Sequence, residues 1–344
     1  MKKGISIVIC TYNGKAYIGE TLNHIALQNR DRFNIELIVV DNNSNDGTYD
    51  YVLQKWYELR QPFDMKLLKE SKIGKFNASS LGFSVAQYDY ILICDDDNFL
   101  YPDYCLKAFN ILEQYNEVGI AGGKGIPEFE DTEPEWFKKY ETVFACGRQY
   151  NVSGIIDDSS VNLWGAGMIF RKKIWDDIQK MDKLFFLSAH RTKKDNSGGD
   201  DTELCEIAKM MGYKLYYDDN MVFKHFMPKK RMKIDFLKRR FKGLGKSRLY
   251  LRAYRYCYLN DELPDKNLKI PFWKDVLTYR NRELLNYYPR IWFVKQTYKN
   301  LDFILKYQAL KGEIAEIKRL KDNYIYIYKD IFYLKEKINN FAIR

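Results

Sequence analysis

Three adjacent carboxylates, Asp95, Asp96 and Asp97, follow the apolar run Tyr90-Ile91-Leu92-Ile93-Cys94. Like charges this close repel unless a cation or hydrogen-bond donors neutralise them. Hard divalent cations such as Mg2+ or Mn2+ take oxygen ligands, commonly one or two carboxylates together with substrate phosphates. The plainer reading is an acidic surface loop. Asp41 closes a second apolar run, residues 35–40, and opens Asn42-Asn43-Ser44-Asn45-Asp46-Gly47-Thr48. Side chains of these types bond the backbone in turns, so Asp41 either serves a turn or accepts a hydrogen bond from a base or ribose. Asp200, Asp201 and Glu203 stand between Gly199 and an amphipathic stretch with Leu204, Ile207, Ala208 and Met211. The helix dipole favours acidic residues at such a start. A carboxylate within reach of an acceptor hydroxyl is also a general base. His225, in Val222-Phe223-Lys224-His225-Phe226, is either a satisfied structural residue or a ligand.

The elements that carry these groups alternate. Residues 4–10, 35–41, 65–69 and 90–94 read as buried strands. Residues 15–29, 46–59 and 76–87 between them read as helices, the second with Ser44 or Asn45 as its cap. Continuous apolar strands separated by helices predict an α/β fold, a mostly parallel sheet covered on both faces. Ligands of such sheets bind beyond the carboxyl ends of the strands. Three strands end in polar chemistry there: Thr11-Tyr12-Asn13, Asp41-Asn42-Asn43 and Asp95-Asp96-Asp97. Further on, 103–116 reads as a helix, 118–122 as a strand and 126–160 as loop. Residues 161–171 read as a strand, 172–181 and 202–211 as helices, and 214–217 and 221–225 as two strands. From about 230 the chain is mostly helical.

The chain has 344 residues with 46% hydrophobic and 30% charged residues, ordinary for a globular protein of one or two domains. No run approaches the ~18 apolar residues of a membrane span. The start, Met1-Lys2-Lys3-Gly4, has no small-residue cleavage site, so no secretory signal is expected. The six cysteines are scattered, without a C-x-x-C pair, which favours neither a zinc site nor a disulfide framework and fits a reducing cytoplasm. Charge is uneven. Residues 229–344 hold 29 basic and 12 acidic residues, whereas 1–228 hold 27 and 34. An acidic first part joined to a basic last part implies a division near 228 and a contact with something anionic.

Jointly, four passages resemble the inverting glycosyltransferases of family 2, with the nucleotide-sugar-binding GT-A fold. They are Ser6-Ile7-Val8-Ile9-Cys10-Thr11-Tyr12-Asn13-Gly14, Val39-Val40-Asp41-Asn42-Asn43-Ser44-Asn45-Asp46-Gly47-Thr48, Tyr90 through Asp97 as a strand ending in a D-x-D motif, and Gly199-Asp200-Asp201-Thr202-Glu203-Leu204. The likeness covers roughly residues 4–230. It implies donor contacts from Thr11, Tyr12, Asn13, Asp41, Asn43, Lys75, Asn77, Asp95 and Asp96. Asp41 would take the base, most often uracil. It implies Asp97 and His225 as ligands of Mn2+ or Mg2+. It implies Asp201 as the catalytic base with Glu203 as its helix companion, and an acceptor site lined by Trp164, Gly165, Ala166 and Asp200. The sequence departs from the family in two places. Lys75-Phe76-Asn77 stands where an alanine-arginine-asparagine run is common, so Lys75 would supply the charge. Asp200 stands where glutamate is usual, leaving the base between two aspartates.

The implied reaction is a single displacement. Asp201 deprotonates an acceptor hydroxyl as it attacks the anomeric carbon, and the nucleoside diphosphate leaves. The implied partners are a nucleotide diphosphate sugar and a glycan or lipid-linked glycan acceptor of surface polysaccharide synthesis. Transfer to polyprenyl phosphate, or nucleotidyl transfer, is the alternative. The basic C-terminal part, with Trp273, Tyr279, Tyr287, Tyr288, Trp292, Phe293, Tyr324, Tyr326, Tyr328 and Tyr333, fits a peripheral foot on the anionic inner face of the plasma membrane. It fits equally a helical extension packed through Ile314, Ile317, Leu320, Ile327, Ile331 and Leu334. A nucleic-acid-binding reading leaves the ordered strand-end motifs unexplained, and no nucleic acid is expected.

Overall fold

The computed structural model describes residues 2–181, 199–260, 273–288, 290–293 and 300–342. The chain forms two compact units. The first comprises Met1–Glu130, Tyr140–Asp182 and Ile207–Met227, and the second Asp131–Lys139, Lys183–Glu206 and Pro228–Arg344.

The first unit is built on one sheet. Its strands are β1 (Lys2–Thr11), β2 (Asn34–Asp41), β3 (Met65–Lys69), β4 (Tyr88–Asp95), β5 (Asn98–Leu100), β6 (Val118–Phe129), β7 (Gly154–Ile156), β8 (Ile169–Arg171) and β9 (Lys214–Met227). Their order is β3-β2-β1-β4-β8-β6-β9-β5, with β7 also on β9. The β3-β2-β1-β4 half is parallel, as is β6 with β9; β8, β5 and β7 run antiparallel to their neighbours. The sheet is therefore parallel where the apolar runs are continuous and mixed beyond.

Successive strand residues face opposite sides, and both sides are covered. Ile5, Ile7, Ile9, Leu37, Val39 and Leu92 join a core with helices α1 (Ile18–Ala26), α2 (Thr48–Glu58) and α4 (Tyr104–Gln114). On the other side α3 (Lys75–Val85) lies so close that a Cβ on Gly82 would stand 2.5 Å from Val8 Cγ1. There Phe83 packs edge-on against Phe170 and against Trp175 of α6 (Lys172–Gln179).

Four local expectations are corrected. The cap of α2 is Gly47, at φ 81°, rather than Ser44 or Asn45. Asp46 accepts the Thr48 amide at 3.0 Å, and although burial alone would raise its pKa, the hydrogen bonds from Thr48 and the Lys15 amide hold it below the ordinary value. Residues 161–171 form a strand only at Ile169–Arg171, because the chain turns at 165–168, where Gly167 adopts φ 71°. The two strands expected at 214–217 and 221–225 are one, bent where its register with β6 shifts between Gly122 and Lys124. The region expected as loop carries the end of β6, β7 and the short helix α5 (Phe137–Tyr140).

In the second unit α7 (Asp200–Met210) begins, and α8 (Ile234–Leu259), α9 (Trp273–Leu285), α10 (Arg290–Phe293), α11 (Leu301–Leu320) and α12 (Tyr324–Ala342) follow. Helices α8 and α11 cross at two glycines. A Cβ on Gly245 would lie 1.9 Å from Ala309 O, and one on Gly312 1.9 Å from Lys242 O. Around the crossing, buried Glu313 pairs with Arg252 at 2.7 Å and Arg280 at 2.9 Å. Buried Glu316 accepts from Tyr250 Oη at 2.8 Å. Ile314, Ile317, Leu320, Ile327, Ile331 and Leu334 are all buried, so these residues serve helix packing. No helix among the described residues is long and apolar enough to cross a membrane.

Candidate functional site

Register brings the polar strand ends together. Thr11 of β1 is opposite Asp41 of β2, and Cys10 is opposite Asp95 of β4. The loops after β1 and β2 interlock. The Asn13 amide donates to Ser44 Oγ at 2.9 Å, and the Asn45 amide donates to Asn13 Oδ1 at 2.9 Å. Asn13 and Asn43 both adopt positive φ, 52° and 64°, a conformation asparagine tolerates. Tyr12 is half-exposed above them. Asp41 is buried; its Oδ2 accepts the Ser44 amide at 3.2 Å, while its buried Oδ1 has no hydrogen-bond partner among the described residues.

The acidic turn between β4 and β5 is held from every side. Thr11 Oγ1 donates to Asp96 Oδ2 at 2.6 Å. Lys75, the first residue of α3, pairs with Asp95, the position where a cation was expected. Asn77 instead donates to Lys72 O and Ile73 O in the loop before α3, at 3.3 Å each. His225 Nε2 lies 3.4 Å from Asp97 Oδ1, and both side chains are nearly buried. The placement follows from β5 pairing with β9, which sets Asn98 opposite His225, and from the Phe226 amide donating to Asp97 O at 2.9 Å. Beneath the Lys75–Asp95 pair, burial pushes the Cys10 thiol up to about 12, so it is a neutral packing group and no nucleophile.

A divalent ion would find two protein donors here, a carboxylate oxygen and an imidazole nitrogen close enough to be neighbouring ligands. Among the described residues no group of three such side chains forms a cage. Two protein ligands completed by phosphate oxygens and water is a usual arrangement for Mg2+, and an imidazole suits Mn2+. The residues fit such an ion.

The loop with Trp164, Gly165 and Ala166 is pinned beside β4. The Gly167 amide donates to Ile93 O at 3.1 Å, and the Ile93 amide donates to Met168 O at 2.7 Å. Gln149 accepts the Trp164 amide at 2.8 Å and donates to Gly123 O at 2.7 Å. Lys209 reaches Asn162 Oδ1 and Ser159 O, both at 2.8 Å. The buried Trp164 Nε1 has no hydrogen-bond partner among the described residues. Ala166 is buried.

In the second unit, Asp200 and Asp201 occupy the first turn of α7, both partly exposed. Asp201 Oδ1 accepts the Thr202 amide at 2.8 Å. Glu203 is fully buried, its Oε1 accepting from Tyr254 Oη at 2.7 Å. Glu203 is thereby an internal anchor, and the two aspartates remain the solvent-reachable carboxylates of the turn.

Several holding residues carried no signal in the sequence. Asn42 donates to Glu70 O at 3.0 Å and Lys72 O at 2.8 Å and accepts the Gly74 amide at 2.7 Å. It thus ties the end of β2 to the loop that delivers Lys75. Its place in Asp41-Asn42-Asn43 was the only hint. Gln149, Lys209 and Thr21 act between segments distant in sequence.

A parallel half-sheet ending in a basic and acidic cluster, with a histidine returned to the acidic turn by an antiparallel strand, defines the GT-A class of nucleotide-sugar transferase fold. The chain matches the model of glycosyl transferase family 2 over residues 6–178, half its length, and belongs to that family. The poly(ribitol-phosphate) beta-N-acetylglucosaminyltransferase TarS of Staphylococcus aureus (strain Mu50 / ATCC 700699) is 25% identical over 138 residues, 38% of this chain and 24% of that protein. The crystal structure of S. aureus TarS 1-349 in complex with UDP-GlcNAc aligns at TM-score 0.51 and 13% identity, covering 95% of this chain and 91% of that one. The mannosyltransferase PcManGT from Pyrobaculum calidifontis, in complex with GDP-Man and Mn2+, aligns at TM-score 0.54 and 19% identity, covering 100% and 87%. At these identities the structural likeness shows the fold. The chain spans between about a quarter and about half of the curated relatives it matches.

Proposed function

We propose that this chain is an inverting glycosyltransferase that moves a sugar from a uridine diphosphate sugar to a hydroxyl of a glycan or lipid-linked glycan in surface polysaccharide synthesis. The observation that carries the reading is the acidic turn, whose three carboxylates each meet a different partner: Lys75 at Asp95, Thr11 at Asp96 and His225 at Asp97. The open Oδ1 of Asp41 offers an acceptor for the N–H of a base, and Trp164 Nε1 offers a donor for a substrate oxygen. A buried polar atom left open costs free energy unless a ligand or water completes it.

Asp97 and His225 would hold a divalent cation, which when bound offsets charge on the diphosphate leaving group. Lys75 adds positive charge at the same end of the sheet. Asp201 takes the proton of the acceptor hydroxyl as its oxygen attacks the anomeric carbon. The bond to the nucleoside diphosphate breaks on the opposite face, so the configuration inverts in one step.

The chain acts at the cytoplasmic face of the membrane. Its extension supports that with exposed aromatic residues, Tyr279, Tyr288, Tyr326, Tyr333 and Trp292, the last 78% exposed, and with Arg280, Lys329 and Lys337 over the rings of Tyr279, Tyr326 and Tyr333. Aromatic rings with polar edges and nearby cations suit an anionic headgroup layer. Co-sedimentation with vesicles containing phosphatidylglycerol, compared with phosphatidylcholine alone, tests this part.

The function itself is tested by calorimetry with a panel of nucleotide sugars, each with and without Mn2+, on wild type and Asp97→Ala. Metal-dependent binding of a uridine diphosphate sugar by wild type, and its loss in the variant, is expected. Equal binding by both proteins would remove Asp97 from the site, and preference for a guanosine donor would overturn the uridine assignment.

A further inference from the structure

Thr21 is fully buried in α1, yet its hydroxyl leaves its own helix. A buried helical threonine ordinarily returns its hydroxyl to a carbonyl three or four residues back. Here Thr21 Oγ1 donates at 2.8 Å to the main-chain carbonyl of Asp96, 75 residues away. We propose that Thr21 is a positioning residue for the acidic turn, fixing the peptide that links Asp96 to Asp97 and so the direction in which Asp97 meets His225.

The neighbouring bonds show what that peptide controls. The Asp95 amide donates to Asn98 Oδ1 at 3.2 Å, and Asp97 O accepts the Phe226 amide at 2.9 Å. Asp96 is gripped twice, its side chain by Thr11 and its carbonyl by Thr21. Rotation of the Asp96–Asp97 peptide would swing Asp97 Oδ1 from His225 while the flanking strands stay in register, and the Thr21 hydroxyl opposes it. A carbonyl at a four-residue turn needs a partner once buried, and α1 supplies one from a rigid element, which holds a site more tightly than a loop does. Tyr17 extends the same bracket. Its amide donates to Gly14 O at 2.9 Å, and its ring lies 5.3 Å from that of Phe226, the residue bonded to Asp97 O. The start of α1 therefore bonds the acidic turn at Asp96 O and packs, through Tyr17, on the residue whose amide bonds Asp97 O.

The geometry stands without the transferase reading, but the consequence for substrate rests on it, so the test reads both. Thr21→Val removes the hydroxyl at nearly constant volume, and Thr21→Ser keeps it. Amide hydrogen exchange over residues 95–99 is measured on the full chain without ligand, alongside the melting temperature and calorimetric binding of UDP with Mn2+. Thr21→Val should accelerate exchange in that segment and weaken UDP–Mn2+ binding about tenfold, the size of one well-placed hydrogen bond. Exchange elsewhere in the first unit should stay unchanged, and Thr21→Ser should match wild type in both respects. Wild-type exchange at 95–99 in Thr21→Val would overturn the proposal. So would acceleration spread over the whole first unit, which marks a merely structural bond, or failure of Thr21→Ser to restore the segment. If Thr21→Val does not fold, Thr21→Ala is compared with Thr21→Ser in the same way. If wild type binds no UDP with Mn2+, the donor assignment falls while exchange still decides the role of Thr21.

Discussion

Tyr254 Oη lies 2.7 Å from Glu203 Oε1, and both side chains are fully buried. Burial first, and then the neighbouring Glu203 carboxylate, push the Tyr254 phenol well above its ordinary value, so it stays a proton donor at any working pH. The bond anchors the start of α7 to α8 within the second unit.

Removing that donor tests the anchor. Tyr254→Phe removes a buried donor from the Glu203 carboxylate, at a cost of roughly 1–3 kcal/mol. The urea midpoint should fall, and activity should fall with it because Asp201 lies two residues from Glu203. Glu203→Gln keeps an acceptor for Tyr254 and should lose less. A midpoint unchanged in Tyr254→Phe would mean that Glu203 is held by something other than this phenol.

The parts of the fold legible in the sequence were those whose physics is local. Residues 4–10, 35–41 and 90–94 are mostly apolar because both faces of their strands are covered, the buried Ser6 and Glu36 bonding each other, and their polar ends fall side by side because parallel strands start in register. What was not legible depends on distant partners. Residues 161–168 look strand-like but turn, since Gly167 takes a left-handed conformation and its amide bonds Ile93. The sequence suggests a break near Asp218-Asp219-Asn220, whereas β9 runs through it as a bend. Candidate residues of distinctive chemistry, Asp95, Asp96, Asp97 and His225, could be singled out, and the fold brings them together. Thr21, Asn42 and Gln149 could not, because a hydroxyl or amide announces nothing about which loop it will hold.

Gly14 tests how tightly the donor loop closes. A Cβ there would lie 2.2 Å from Thr11 Oγ1 and 2.3 Å from Asp96 Oδ2, so Gly14→Ala must part the Thr11–Asp96 bond. The turn is at the end of a strand and outside the core, so the melting temperature should move little. Binding of UDP with Mn2+ should weaken at least about tenfold, the worth of a charge-assisted hydrogen bond. Calorimetry reads the affinity directly. Wild-type affinity would mean that this bond does not organise the acidic turn.

Gly312 gives a sign test for the helix crossing. By propensity alone, Gly312→Ala inside α11 should stabilise by up to about 1 kcal/mol. Its Cβ, however, would fall 1.9 Å from Lys242 O, and a main-chain atom cannot turn aside as a side chain can. Separation of α8 from α11 should win, at a cost of about 1–3 kcal/mol, visible as a lower urea midpoint. Gly245→Ala meets Ala309 O in the same crossing. Once the helices are parted by one substitution the other costs less, so the double variant should lose less than the sum. Additive losses would mean that the two contacts yield independently.

Asp201 carries the chemical step in the proposed reaction. Asp201→Asn keeps the size of the side chain and its acceptor oxygen for the Thr202 amide, so α7 should start as before and UDP–Mn2+ affinity should be unchanged. Turnover, read as UDP released in the presence of glycan acceptors, should drop by about 10²–10⁴, the usual worth of a general base. Asp200→Asn is the control that separates neighbours. If Asp201→Asn turns over normally while Asp200→Asn does not, the base is Asp200, because Glu203, buried against Tyr254, is not presented to an acceptor.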